Sequence, residues 1–127
     1  MNYFFLVAGR GTRMQPLTMN YPKTLFKLDK DTTVISRMIE MIRELDPDPR
    51  IIVVTGFKHE MIEEAVKDAI IINNPFYAVT NSLGSLWFAR EYMEGPSILI
   101  NGDVLLDKAA MTDIVCTEIT RPEVLLD

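Results

Sequence analysis

Four short, continuously apolar segments constrain the fold of this chain more than any other feature of its sequence. They cover residues 3–8, 51–55, 69–72 and 97–100. Apolar residues follow one another here without polar alternation, which is typical of strands buried on both faces of a parallel sheet. A fifth apolar run, residues 123–126, predicts one more strand.

Helical patterns separate the predicted strands. They cover residues 33–45, 59–68, 83–93 and 107–118. The first has apolar side chains at the spacing of one helix face, namely Ile35, Met38, Ile39, Ile42 and Leu45. The second places four on one side, namely Met61, Ile62, Ala65 and Val66. The regular alternation predicts a single α/β domain with a doubly wound, mostly parallel sheet.

The distribution of charge points to one end of that sheet. Residues 1–28 hold four basic side chains and no acidic one, whereas the rest of the chain holds nine basic and 18 acidic residues. This pattern indicates a local anion site, and the net charge of −5 argues against a nucleic-acid partner. Ligands of doubly wound sheets bind beyond the carboxyl ends of the strands, which here means after residues 8, 55 and 100.

The compartment is predicted from what the sequence lacks. No apolar run approaches the roughly 20 residues needed to cross a membrane, and the opening run is too short for a signal peptide. Cys116 is the single cysteine, so no intrachain disulfide is possible. We therefore expect a cytoplasmic protein without a membrane partner.

A glycine-rich loop follows the first predicted strand. Gly9 and Gly11 allow backbone N–H groups to approach a polyphosphate, and Arg10 and Arg13 match its charge. Met14 replaces the third glycine of a dinucleotide-binding fingerprint, and the loop has no Gly-Lys-Ser/Thr sequence. The segment instead resembles the opening motif of the sugar-phosphate nucleotidyltransferase superfamily. The matching residues are Leu6, Ala8, Gly9, Gly11, Thr12, Arg13, Met14, Pro16, Leu17, Thr18, Pro22 and Lys23.

This resemblance implies a role for each part of the motif. The nucleotide-binding residues would be Ala8, Gly9, Gly11, Thr12 and Arg13. Arg13 would also stabilise the leaving pyrophosphate, and Lys23 would contact the α-phosphate or the attacking phosphate, so both are the predicted catalytic residues. Val7 departs from the small residue usual in the superfamily, and we expect it to pack in the core.

Asp103 follows the fourth predicted strand in the sequence Asn101-Gly102-Asp103. It resembles the Gly-Asp metal motif of the same superfamily, which implies that Asp103 binds Mg²⁺. Carboxylate oxygens are the ligands that this ion prefers. The alternative is a turn aspartate that caps the next segment.

The segment Thr80–Trp87 reads Thr-Asn-Ser-Leu-Gly-Ser-Leu-Trp. It is similar to the Thr-Asn-Asn-x-x-Ser-Leu segment of phosphocholine cytidylyltransferase-like members, which implies that Asn81 and Ser85 contact the nucleotide. The alternative is that Asn81 or Ser82 only caps the helix. We expect Trp87 to lie in the core and His59 to lie at the surface near a helix start.

Members of the superfamily are usually about twice as long, so residues 1–127 resemble a truncated, N-terminal nucleotide-binding part. The implied reaction transfers CMP from CTP to a small phosphorylated acceptor such as phosphocholine and releases pyrophosphate. A sugar 1-phosphate acceptor is the alternative, as is a nucleotide-binding fragment or subunit without activity of its own. An unfinished sheet would invite self-association or a partner chain.

Overall fold

The computed structural model describes residues 1–8, 25, 32–66, 68–101 and 107–116. Within these described residues, four strands and four helices alternate. The strands are β1 (Asn2–Leu6), β2 (Arg50–Thr55), β3 (Ile70–Asn73) and β4 (Ser97–Asn101). The helices are α1 (Val34–Leu45), α2 (His59–Ala65), α3 (Ser82–Phe88) and α4 (Lys108–Cys116), with a 3₁₀ turn at Arg90–Tyr92.

The described strands form one parallel sheet in the order β3-β2-β1-β4. Leu6, the last residue of β1, is paired with Val54 on one side and with Asn101 on the other. Strand order reverses between β1 and β4, and this reversal is the feature that defines a doubly wound sheet. The predicted α/β fold is therefore confirmed.

Strand β1 is buried on both faces. Tyr3 and Phe5 belong to a core that also contains buried residues of α1, α2 and α4. Phe4 and Leu6 point to the opposite face, where they pack with Ile52, Val54 and Ala89 and with partly buried Leu86 of α3. Burial on both sides explains the continuous apolar runs of β1 and β2. The expectation was wrong for β3 and β4, which lie at the two edges of the described sheet and are only partly buried, with Leu99 46% exposed.

Helix α1 follows its predicted pattern closely. Thr33 is the N-cap, and it forms a capping box with Ser36. The predicted face is buried except for partly buried Leu45, and Met41 is buried with it. The helix ends at Leu45, directly before the Asp46-Pro47 sequence, because proline lacks an amide donor and restricts the residue that precedes it.

Three local predictions were wrong. Helix α2 stops at Ala65, so only Ile62 and the following Val66 are buried, while Met61 and Ala65 are exposed. Helix α3 ends at Phe88 and gives way to the 3₁₀ turn. Trp87 is not a core residue, because 56% of it is exposed. The Arg90 guanidinium instead lies 3.6 Å from the centre of its ring.

Two further predictions lie outside the described residues: the strand at 123–126 and the end of the last helix beyond residue 116. Val7 is buried, as expected. Within the described residues, α1 is the longest helix with 12 residues, and none of the helices is long and apolar enough to cross a membrane.

Candidate functional site

The carboxyl edge of the sheet is the candidate site. At this edge the chain leaves β1 after Leu6 and leaves β4 after Asn101, and these two residues are register partners. The predicted phosphate-binding loop follows β1, and the predicted metal ligand follows β4. The two segments therefore depart from adjacent strands at the reversal of strand order, where open α/β sheets bind their ligands.

Most of the predicted site residues lie outside the described residues. These are Gly9, Gly11, Thr12, Arg13, Lys23 and Asp103. Their roles as phosphate, catalytic and metal contacts stay predictions. Ala8, Asn81 and Ser85 are described, and the contacts around these three residues define the observed part of the site.

Ala8 is held against the end of β2. Its carbonyl oxygen accepts a hydrogen bond of 2.9 Å from the Phe57 amide, and the Val7 amide donates to the Val54 carbonyl at 3.0 Å. Ala8 is only 2% exposed. The start of the predicted phosphate loop is thus fixed by backbone hydrogen bonds beyond the formal end of β1.

Gly56 allows three segments to meet at this edge. A Cβ atom added to Gly56 would lie 2.5 Å from the Tyr77 Cβ and 2.8 Å from the Ala8 carbonyl oxygen. Neither neighbour is the free end of a flexible side chain, so a larger residue would have to displace backbone. The absence of a side chain at Gly56 brings the turn that contains Tyr77 against the ends of β1 and β2.

Asn74 connects the end of β3 to the beginning of α3. It is fully buried, and its Nδ2 donates to the Thr80 hydroxyl at 2.8 Å and to the Ser85 hydroxyl at 2.9 Å. Its Oδ1 accepts from the Phe76 amide at 2.8 Å. Its own amide donates to the Thr55 carbonyl at 2.6 Å. Every polar group of this side chain therefore has a partner.

Asn81 is the N-cap of α3, and its Oδ1 accepts a 2.9 Å hydrogen bond from the Gly84 amide. The capping alternative for Asn81 is therefore observed, while a nucleotide contact by this exposed residue stays a prediction. Ser85 is only 4% exposed. Its hydroxyl already accepts from Asn74, which favours a supporting role over direct contact with a ligand.

The carboxyl end of β2 carries one positive-φ residue. Lys58, with φ of 52°, precedes α2 and has an exposed side chain. His59 is the first residue of α2 and is 37% exposed, as the surface prediction expected. Its ring nitrogens lie 3.1 Å from carboxylate oxygens of Glu60 and Glu63. These contacts give the histidine a local structural role.

The predicted magnesium site stays untested by geometry. Among the described residues, no group of three or more histidine, cysteine, aspartate or glutamate side chains is arranged to hold a metal ion. Asp103 lies outside them. Its carboxylate is the kind of donor that Mg²⁺ requires.

Sequence reasoning overlooked Asn74, Tyr77 and the packing role of Gly56. A signal for Asn74 was present, because Asn-Asn-Pro after a strand favours an Asx turn. The hydrogen bond from the Phe76 amide to Asn74 Oδ1 closes such a turn. The contact between Gly56 and Tyr77 depends on residues 21 positions apart, and no local pattern predicts it.

The chain matches the family model described as nucleotidyl transferase over residues 4–121. It belongs to the nucleotidyl transferase family. The bifunctional protein GlmU of Synechococcus sp. is 30% identical over 112 residues, which cover 85% of this chain and 24% of that protein. The 2-aminoethylphosphonate cytidylyltransferase of Lancefieldella rimae is 29% identical over 109 residues, which cover 83% of this chain and 44% of that enzyme.

A solved structure agrees with this nucleotidyl transferase assignment. The CTP:phosphocholine cytidylyltransferase of Streptococcus pneumoniae superimposes with a TM-score of 0.67 at 29% identity, over 80% of this chain and 44% of that structure. The chain thus spans less than half the length of each of these three relatives. The resemblance seen in the sequence and its restriction to an N-terminal half are confirmed.

Proposed function

We propose that this nucleotidyl transferase chain is the nucleotide-binding part of an enzyme that transfers CMP from CTP to a small phosphorylated acceptor and releases pyrophosphate. The observation that carries the proposal is the family match across residues 4–121. That match includes the glycine-rich loop, and Ala8, the residue before its first glycine, is anchored at the carboxyl edge.

The proposed chemistry needs positioning and charge neutralisation more than covalent help. An acceptor phosphate oxygen attacks the α-phosphorus of the nucleoside triphosphate, and pyrophosphate leaves. Backbone amides from Ala8 to Thr12 hold the triphosphate, Arg13 neutralises the leaving group, and Lys23 steadies the attacking and α-phosphates. Asp103 would hold Mg²⁺, which would supply further charge neutralisation when bound.

The base and acceptor are proposed from two similarities. The Thr-Asn-x-x-x-Ser-Leu segment is similar to that of phosphocholine cytidylyltransferase-like proteins. Two of the compared relatives are named as cytidylyltransferases, one for 2-aminoethylphosphonate and one for phosphocholine. These similarities favour CTP with an acceptor that has a small amino-alcohol or aminophosphonate group. A sugar 1-phosphate acceptor is the alternative within the same family.

A second candidate function follows from the length of the match. The match covers 44% of each of the two cytidylyltransferases, and the remaining part of those proteins is not matched by residues 1–127. A chain of this kind could bind nucleotide without turning it over, or work with a partner chain or a second copy. We propose a cytoplasmic location, because a single cysteine cannot form an intrachain disulfide of the kind common in oxidising compartments.

Pyrophosphate release with Mg²⁺ tests the proposal. Each of CTP, UTP, ATP and GTP is supplied with phosphocholine, with 2-aminoethylphosphonate and with a sugar 1-phosphate, and nucleotide binding is measured in parallel by calorimetry. We expect CTP to bind most tightly and to be consumed with one of the first two acceptors. Binding without pyrophosphate release supports the binding-only function, and absence of both binding and release refutes the proposal.

A further inference from the structure

We propose that Asn74 is a positioning residue that sets the Thr80–Ser85 segment at the carboxyl edge for nucleotide binding. The inference rests on the proposed function for the nucleotide-contacting role of that segment. Asn74 itself is fully buried, so it would act through its neighbours and not by touching the ligand.

The contacts of Asn74 reach both ends of the segment. Thr80, at its beginning, accepts from Asn74 Nδ2, and its own hydroxyl donates to the Phe76 carbonyl at 2.9 Å. Ser85, at its end, accepts from the same nitrogen at 2.9 Å. The two hydroxyls on either side of Asn81 are therefore fixed by one amide group.

Asn74 also fixes the segment relative to the sheet. Its amide donates to the Thr55 carbonyl at the end of β2, next to Gly56, whose missing side chain lets the turn containing Tyr77 lie against Ala8. A continuous set of contacts thus joins the start of the predicted phosphate loop to the first turn of α3. Such a network is rigid when every polar group is satisfied, and the described residues contain no buried side-chain polar atom without a partner.

The chain provides a matched control at the opposite edge. Asn2 is 6% exposed. Its Nδ2 donates to the carbonyls of Tyr92 and Glu94, and its Oδ1 accepts from Arg50 Nε. Asn2→Ala and Asn74→Ala therefore each remove two donated bonds and one accepted bond from a buried asparagine. Only the second substitution affects the carboxyl edge.

The experiment compares these two variants with the unsubstituted chain by thermal unfolding, by calorimetric titration with CTP and Mg²⁺, and by hydrogen exchange without nucleotide. We expect both variants to lose about 5–10 °C in Tm. Asn74→Ala should weaken CTP binding about tenfold or more while Asn2→Ala changes it less than about twofold. Only Asn74→Ala should increase amide exchange at residues 80–86.

The outcomes separate the two proposals. If the unsubstituted chain binds no nucleotide, the proposed function is refuted. Faster amide exchange at residues 80–86 in Asn74→Ala would then show only that Asn74 organises this segment. CTP affinity equal in Asn74→Ala and Asn2→Ala, or exchange unchanged at 80–86, would overturn the positioning role. If Asn74→Ala does not fold, Ser85→Ala removes one of the same bonds, and unchanged CTP affinity in that variant would likewise overturn it.

Discussion

Each of the two edges of the sheet contains a buried asparagine, and the two asparagines hold different parts of the molecule in place. At the amino edge, Asn2 joins β1 to the chain around Tyr92 and to Arg50. At the carboxyl edge, Asn74 joins β3 to a turn and to the start of α3. The amino-edge contacts bind parts of the scaffold to one another, whereas the carboxyl-edge contacts hold a segment predicted to meet a ligand. A buried asparagine network therefore does not by itself indicate function, and the role proposed for Asn74 rests on its position at the carboxyl edge.

The largest expected difference between the two edges is in the effect of replacing an arginine on turnover. Arg13→Ala removes the proposed partner of the leaving pyrophosphate and should lower turnover by about 10³-fold. Arg50→Ala is the matched control, because Arg50 donates to Asn2 and to the Tyr92 carbonyl and lies 5.4 Å from the centre of the Tyr92 ring. It should cost about 1–2 kcal/mol of stability with turnover unchanged in the folded protein.

Pyrophosphate release below the Tm of both variants is the measurement. If the chain alone is inactive, CTP affinity replaces turnover as the readout, and Arg13→Ala should then weaken it. Near-normal behaviour of Arg13→Ala would remove this residue from the proposed mechanism and with it the functional contrast between the edges.

The sequence could predict features that depend on local patterns, but not contacts between separate elements. Strand and helix positions followed from apolar continuity and period, and α1 was predicted with its buried face because capping and proline signals are local. The phosphate loop was predicted from glycines and arginines that lie outside the described residues, so it stays a prediction. The Gly56–Tyr77 contact and the Asn74 network join residues from separate elements, and only the three-dimensional packing brings them together.

For Trp87 the sequence predicted burial that the structure does not have. Its position beside Leu86 in a helix predicted burial, but α3 is short, and Leu86 packs against the sheet while Trp87 stays exposed. The Arg90 guanidinium lies over one face of the ring. A large aromatic side chain thus need not enter the core when a cation lies over its face.

A glycine pair gives the next largest effect. Gly56→Ala would place Cβ 2.5 Å from the Tyr77 Cβ and 2.8 Å from the Ala8 carbonyl oxygen, so we expect a loss of about 2–3 kcal/mol and weaker CTP binding. Gly95 lies at the amino edge with φ of +79° and no heavy atom within 4 Å of an added Cβ. Gly95→Ala should cost about 1–2 kcal/mol from backbone conformation alone.

Denaturant unfolding measures the loss of stability in both variants, and calorimetry measures the CTP affinity of each. We expect CTP affinity to fall only in Gly56→Ala, since its displaced neighbours include the start of the phosphate loop. Equal CTP affinity in the two glycine variants would show that the carboxyl edge tolerates a shift at Ala8.

The smallest expected effect belongs to Asp46, near the start of β1. Burial alone raises the pKa of its carboxyl group. Hydrogen bonds from the Asp48 amide at 3.0 Å and the Tyr3 hydroxyl at 2.8 Å, with the Met1 ammonium 3.7 Å away, outweigh that effect and lower the pKa below its ordinary 3.8. A carboxyl group whose pKa is lower in the folded than in the unfolded chain stabilises the protein at pH values above its unfolded pKa. This contribution is lost as the pH falls through the folded pKa.

Asp46→Asn should therefore be less stable than the unsubstituted chain at pH 7, by about 1 kcal/mol or less. The difference should begin to shrink as the pH falls below about 4, where the unfolded chain binds the proton first, and should shrink further as the native carboxylate is protonated at lower pH. Denaturant unfolding at a series of pH values from 7 down to the lowest at which the chain still folds measures it, and Asp48→Asn is the control because Asp48 is exposed. A difference that stays constant across this range would show that the hydrogen bonds of Asp46 do not depend on its charge. CTP affinity should be unchanged at neutral pH, since Asp46 lies at the edge opposite the proposed site.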